Sequence, residues 1–402
     1  MDSLHTRVQR LRKGVHVDVD ACLARRPASI GCGACVDVCP TDALSWSHDS
    51  VLVESWCLEC GRCAAACPGG AISVGGFDAP MIEPAAIPRE LWLECGRVPS
   101  HLRRRASHTV PCLGGITALS LLEHAARGYS VVLLDRGWCA KCPQGRDKSA
   151  SMAEVVADAL FDLRAATGGA RAAGVLPLPR IDQVPLPASV ATAPPSGGSL
   201  SGVALDRRGF FSALRGGARS IAAAASRPRH TRTRAACRPS EAVRQHLADR
   251  AAALAAVARR VNRPLSAAAF PAVTAHGHCC HEGVCAAACP SGALRVVEDD
   301  ASGQVGLDIN ASLCLGCGLC AQLCPHGALS VTAAGQATET LQPGPRALTR
   351  HTLRACSQCR AGFIPRDDSG LCPRCAMAHA QARSLFGTLL TGSASRNAFP
   401  SS

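Results

Sequence analysis

The sequence predicts an α+β chain of several small domains, and three observations predict it. Its 402 residues exceed what one compact core usually organises. Its cysteines fall into four dense segments, 22–67, 95–142, 279–324 and 356–375, with almost none between them. A short unit, a cysteine-rich loop closing in Cys-Pro followed by an Ala-Leu or Ala-Ile strand, occurs four times, as CPTDALSW, CPGGAISV, CPSGALRV and CPHGALSV. One such unit cannot bury a core alone, so the four are expected to fold as two pairs.

The pairs occupy 15–76 and 272–335, and each contains one fully regular loop. CLECGRCAAACP carries Cys57, Cys60, Cys63 and Cys67, and CLGCGLCAQLCP carries Cys314, Cys317, Cys320 and Cys324. Thiolates recurring every third residue reach three irons of a cubane 4Fe-4S cluster, and the fourth ligand comes from elsewhere. The proline closing each motif ends the loop and fixes the exit of the chain. These motifs resemble the bacterial two-cluster ferredoxin family over both segments. The resemblance implies two small α+β dicluster modules with pseudo-twofold symmetry and a role in one-electron transfer.

The partner loops depart from the pattern. In ASIGCGACVDVCP the later positions are Cys32, Cys35 and Cys39, but the first is Ser29, and Cys22 stands seven residues upstream. Cys22 looping back, a three-iron cluster and oxygen ligation by Ser29 all stay open. Cys22 is favoured, because ARRP can turn the chain. In HCCHEGVCAAACP the register from Cys289 puts Cys285 third, Glu282 second and Cys279 first, with Cys280 beside it. The normal second ligand is absent, and Cys280, His278 or His281 are its candidate replacements; loss of the cluster is the alternative. A histidine ligand or a missing one raises the potential or leaves one iron labile. The crossover rule of the resembled family then implies up to four clusters. The first is held by Cys22, Cys32, Cys35 and Cys67, and the second by Cys39, Cys57, Cys60 and Cys63. Cys289, Cys314, Cys317 and Cys320 hold the third, and Cys279 or Cys280 with Cys285 and Cys324 the last.

Between the pairs, 90–170 reads as a βαβ-containing cysteine domain. Within SHTVPCLGGITALSLLEHAARGYSVVLLDRGWCAKCPQG a strand, a glycine turn, a helix stopped at Gly128 and the apolar strand VVLLD follow in order. Parallel strands gather their following loops at one sheet edge, which brings Cys112 near Cys139 and Cys142, with Cys95 as a fourth. The pattern resembles the iron-sulfur delta subunit of methyl-viologen-reducing hydrogenases over about fifty residues, with a tighter CxxC spacing. That resemblance implies a 2Fe-2S cluster; zinc and a redox-active Cys139/Cys142 dithiol are the other readings.

Residues 171–240 read as linker and basic helix, since Gly174 to Gly202 is rich in Pro, Ala, Ser and Gly. Arg207 and Arg208 imitate an export signal but lie far from the start and lack a long apolar run, so an amphipathic helix start is expected. Residues 241–271 read as a helical spacer with Ser240 as N-cap, amphipathic but mostly alanine. In 351–380, Cys356, Cys359, Cys372 and Cys375 form CxxC, twelve residues, CxxC. That spacing suits structural tetrahedral zinc on a zinc-ribbon-like module, with hairpin turns at Gly362, Pro365 and Gly370, in preference to mononuclear iron. Residues 391–402 read as a disordered tail.

Composition narrows the function classes. No apolar leader follows a basic start and no apolar run reaches eighteen residues, so a cytoplasmic chain without a membrane span is expected, where grouped cysteines bind metal. The net charge of +13 is carried almost wholly by Arg, with only Lys13, Lys141 and Lys148 as lysines. This is a compositional bias, and docking to redox enzyme subunits with an acidic surface is favoured over nucleic acid. Aromatics at 3% leave few platforms for base stacking. No GxGxxG after a strand, P-loop or HExxH points to independent catalysis. The expected function is single-electron relay for a cytoplasmic oxidoreductase of formate dehydrogenase or hydrogenase type. A maturation factor for a metalloenzyme and a redox-sensing nucleic-acid-binding protein are the alternatives.

Overall fold

The computed structural model describes residues 8–10, 14–25, 32–47, 50–77, 84–85, 89–139, 142, 151–168, 176–187, 239–276, 279–299, 303–335, 339–342, 344–365 and 368–391. Ser29, His278, the Arg207/Arg208 segment and the tail 392–402 lie outside them. Helices and several small sheets alternate, giving an α+β multidomain chain.

In the first pair, β1 (Val8–Arg10), β2 (Val15–Asp18) and β5 (Ile72–Val74) form an antiparallel sheet. The hairpin β3 (Leu44–Ser47) with β4 (Ser50–Val53) stands opposite, and the one-turn helices α1 (Ala34–Asp37) and α2 (Arg62–Ala65) carry the cysteine loops. Val15, Val17, Leu44, Val51, Ile72 and Val74 make the core, with cysteines packed into it.

The middle domain is a four-stranded parallel sheet in the order β7-β6-β8-β9, built from β6 (Arg89–Cys95), β7 (His108–Val110), β8 (Tyr129–Asp135) and β9 (Arg180–Gln183). α3 (Ala118–Ala126) starts at Thr117, whose hydroxyl accepts from the Ser120 N–H at 3.1 Å, and ends before Gly128 at φ +92°. α4 (Ser151–Ala166) covers the same sheet. The βαβ expectation holds, but β6 lies between the two strands it joins. The linker expectation is corrected in one place: β9 falls inside it. Its sequence, RIDQ, lacks an apolar alternation because it is a short edge strand held by β8.

The spacer expectation for 241–271 is also corrected. α5 (Glu241–Arg260) begins at Ser240, whose hydroxyl accepts from the Val243 N–H at 3.4 Å, and is packed along its length. Val243 and Leu247 enter the core shared by the two pairs, while Ala253, Leu254 and Val257 enter the core of the middle domain. Burying Leu254 and Val257 contributes about 2 kcal/mol each. Arg250 pairs with Asp162 of α4 at 2.6 Å, and Arg260 donates to the Ala85 carbonyl at 2.6 Å. An alanine-rich face allows this close packing on two sides.

The second pair repeats the plan of the first. β10 (Ala272–Ala275) pairs with β13 (Leu329–Thr332), the hairpin β11 (Leu294–Asp299) with β12 (Gln304–Ile309) stands opposite, and α6 (Val284–Ala288) and α7 (Leu319–Gln322) carry the loops. β14 (Arg346–Thr352) widens the hairpin to three strands. At the C-terminal end, β15 (Arg354–Ala355) and β16 (Gly362–Phe363) form a small hairpin, and α8 (Pro373–Thr391) follows. The turn expected at Gly362 is corrected: Gly362 lies in β16, and the chain turns at 356–361 instead. The second CxxC sits on the start of α8, because Pro373 suits a first helical turn and the alanine-rich run after it favours helix.

Candidate metal centres

The structure gathers the predicted cysteines into six sets. Cys22 reaches the first set by a turn in which the Asp18 carboxylate accepts from the N–H groups of Asp20 and Ala21 at 2.9 and 3.1 Å. It lies in the field of Cys67 and Cys32, and Cys35 in that of Cys67, Cys22 and Cys32. Burial first, and those thiols second, push Cys35 up to about 12. Cys39, Cys57, Cys60 and Cys63 line one cavity. Cys63 is pushed well up by burial and by its neighbours Cys60, Cys57 and Cys35, and Cys60 to about 11, chiefly by burial.

In the second pair, Cys314 and Cys320 are raised to about 11 and about 12 by burial and by neighbours that include Cys289 and Cys317. Burial also raises Cys285, with Cys279 and Cys324 beside it, and these three line a cavity with Cys280 and Glu282. Each set thus joins cysteines of both loops, with the cysteine before proline crossing to the other.

The donor sets fit clusters on two counts. Buried thiols that raise one another repel as thiolates, and a bound iron cluster relieves that repulsion. Backbone N–H groups also point at the sulfurs in a repeated way: Ala43 to Cys39 at 3.3 Å, Ala71 to Cys67 at 3.2 Å and Ala328 to Cys324 at 3.3 Å. The Cys-Pro-x-x-Ala unit therefore supplies a hydrogen bond to the ligand sulfur as well as a turn, and such bonds tune a cluster's potential.

At the carboxyl edge of the parallel sheet, Cys95 ends β6, Cys112 follows β7, and Cys139 and Cys142 follow β8; all four line one cavity. Burial pushes Cys95 up to about 11 and Cys139 to about 12, with the other thiols and Asp135 adding to it. Glu94, fully buried at 0%, fixes this edge. Its carboxylate takes the Arg136 guanidinium at 2.6 Å, the Arg104 N–H at 2.9 Å and the Ser107 hydroxyl at 3.0 Å. Arg136 in turn donates to the carbonyls of Leu102 and Val184 at 2.7 and 3.1 Å. The basic run 101–108 is in part structural: Arg103 donates to Val98 at 2.7 Å, and Arg104 lies 3.5 Å over the Trp92 ring.

The middle set abuts the first pair. Arg62, only 4% exposed, lines both the Cys39/57/60/63 cavity and the Cys95/112/139/142 cavity. Its guanidinium bonds the Cys112 sulfur and opposes the upward push on both Cys112 and Cys60. Gly61 and Gly115 make the approach possible: a Cβ on Gly115 would strike the Cys60 carbonyl and the Phe77 ring, and one on Gly61 would meet Phe77 at 2.6 Å. Sequence reading missed Arg62 and the Glu94–Arg136 pair. The only signal for Arg62 was its place between two ligands in CGRC.

The last set, Cys356, Cys359, Cys372 and Cys375, places four sulfurs within 4.8 Å of one another. Backbone N–H groups of Cys359 and Cys372 aim at Cys356 and hold its thiol down at about 6. Four converging thiolates suit a tetrahedral metal ion.

Residues 28–71 and 278–328 match the family model described as a 4Fe-4S dicluster domain. No curated protein matches the chain. The two matched segments coincide with the two cysteine-bearing pairs, so the chain is ferredoxin-like in both. Two 4Fe-4S dicluster domains indicate iron-sulfur electron transfer. Among the described residues, no helix is long and apolar enough to cross a membrane.

Proposed function

We propose that the chain is a multicentre electron conduit serving a redox enzyme, with five cysteine sets ordered in a row. The observation that carries this reading is the packing of the Cys60 loop on the Cys112 loop with Arg62 in the wall of both cavities. At the other end of the first pair, Gly69 and Gly70, just after Cys67, abut Val243 and His246 of α5. The Ser240 N–H donates to the Pro290 carbonyl, next to Cys289, at 2.9 Å. The first turn of α5 thus lies between a ligand of each pair. The order is Cys95/112/139/142, then the sets of Cys57 and Cys22, then those of Cys314 and Cys285. Bound clusters would supply one-electron exchange; the chain's own residues hold, order and shield them.

The finer assignments belong to this reading. The middle set, by its likeness to the hydrogenase delta subunit, is assigned a 2Fe-2S cluster, and the set of Cys356 a zinc ion with a structural role. The net charge of +13 suits an acidic docking surface on a formate dehydrogenase- or hydrogenase-type partner. A maturation role is the second reading, favoured by the cleft beside the irregular set of Cys285.

Anaerobic purification with iron, sulfide and zinc counts, followed by paramagnetic resonance through a redox titration, tests the proposal. Four clusters of four irons bring about sixteen irons, and the middle cluster two more. Fewer than about eight would sink it, since that is the content of two clusters. Passage of electrons from a low-potential donor to a co-purifying oxidoreductase is the expected activity. Salt-sensitive DNA affinity would favour the nucleic-acid reading instead.

A further inference from the structure

The loop that presents the second ligand has one conformation at three places in the chain. Glu59 (φ 51°) and Gly61 (φ 74°) flank Cys60, and Gly316 (φ 68°) and Gly318 (φ 70°) flank Cys317. His281 (φ 57°) and Gly283 (φ 70°) flank Glu282. A left-handed backbone at a non-glycine residue is uncommon, and here it gives Glu282 the same pair of left-handed neighbours that Cys60 and Cys317 have. Cys280 stands where Leu58 and Leu315 stand in the other two loops, two places too early to take that role.

Two further observations concern what adjoins Glu282. His326, two residues past Cys324, meets the Glu282 carboxylate at 3.0 Å. The other three repeats have Thr41, Gly69 and Ser291 at that place. Cys280, His281, Glu282 and His326 form a wall shared by the cysteine cavity and an adjoining cleft of about 600 Å³, whose lining includes Phe363. Both ring nitrogens of His281 are shielded from water and have no hydrogen-bond partner among the described residues. Glu298 and Asp299 line the same cleft. Carboxylates and imidazoles are donors for divalent first-row metal ions and disfavour anions.

We propose that Glu282, steered by His326, is the oxygen donor to one corner of the Cys279/Cys285/Cys324 cluster, and that divalent metal ions exchange at this corner through the adjoining cleft. The inference rests on the reading of those three cysteines as cluster ligands. A carboxylate binds iron less durably than a thiolate, so this corner is the one that opens. Oxidation by ferricyanide takes one electron from [4Fe-4S]2+, and the product releases Fe2+ to leave [3Fe-4S]+, ferricyanide becoming ferrocyanide. One electron from dithionite and one Fe2+ restore the starting cluster, and Co2+ or Zn2+ in place of Fe2+ fills the same corner.

The test is ferricyanide treatment of the anaerobically purified full chain and of its Glu282→Cys and Cys280→Ala variants, read by paramagnetic resonance and released-iron assay. The wild type and Cys280→Ala are expected to show a three-iron signal with release of iron, reversed by Fe2+ and dithionite. Glu282→Cys, which restores the fourth thiolate, is expected to lose that response while keeping its iron count. Charge removal by Glu298→Gln with Asp299→Asn is expected to slow Co2+ uptake into the three-iron form. A wild type that resists oxidation like Glu282→Cys overturns the inference, as does loss of the cluster in Cys280→Ala, which would make Cys280 the fourth ligand. An iron count one cluster short before any treatment overturns the underlying ligand reading as well, so the two failures are distinguishable.

Discussion

Replacing Arg62 by leucine should lower the reduction potentials of the two centres it lies between. The guanidinium is almost wholly buried, bonds the Cys112 sulfur and acts on Cys60, so its charge is poorly screened at both sites. At about 5 Å and an effective dielectric of about 20, one unit charge interacts with another by about 3 kcal/mol. An electron added to a cluster is spread over it and sits farther away, so about 2 kcal/mol, or on the order of 90 mV, is the expected downward shift. The sign follows because reduction adds negative charge that the cation stabilises. Redox titration followed by paramagnetic resonance reads both centres separately, and Arg62→Lys, which keeps the charge, should restore most of the shift. If neither potential moves by more than about 20 mV in Arg62→Leu while all irons are retained, the electrostatic link between the centres is refuted.

Three further outcomes follow from the structure. Glu94→Gln leaves Arg136 buried beside a neutral amide and should cost about 3 kcal/mol or more, read as a lower denaturation midpoint; replacing both partners with apolar residues should recover much of it. Gly115→Ala drives a methyl into the Cys60 carbonyl and Phe77, and should cost about 1–3 kcal/mol and weaken the magnetic interaction between the adjoining centres without changing the iron count. The Cys356 thiol is held down at about 6, so its thiolate persists above that value and is lost as pH falls through it. Metal release from the C-terminal set, followed with a chromophoric chelator, should therefore increase as pH falls and protons compete for the four thiolates, while Cys356→Ala should release the ion at neutral pH and leave cluster iron unchanged.

The cysteine spacing by itself determined the two dicluster segments, because three ligands to one cluster come from a single turn of loop and their separation is a local property. Crossover of Cys39, Cys67, Cys289 and Cys324 to the opposite set was legible only through the resemblance to two-cluster ferredoxins, which implies it. The gathering of Cys95, Cys112, Cys139 and Cys142 at one sheet edge was legible from strand order, although the sequence did not reveal β6 between its neighbours or β9 in a stretch rich in proline. What only tertiary structure decided depends on contacts between distant residues. Helix α5 reads as a spacer because alanine gives weak periodicity, yet that small-residue face lets it pack against two cores at once. Arg62 looks like any solvated arginine until the Cys112 loop closes over it through Gly61 and Gly115. Glu282 looks like a lost ligand until its backbone is seen to match that of Cys60 and Cys317, with His326 drawn to it from the other loop. Local chemistry chose the metal ligands, and long-range packing chose their neighbours, because a buried charge or a shared wall exists only where separate segments meet.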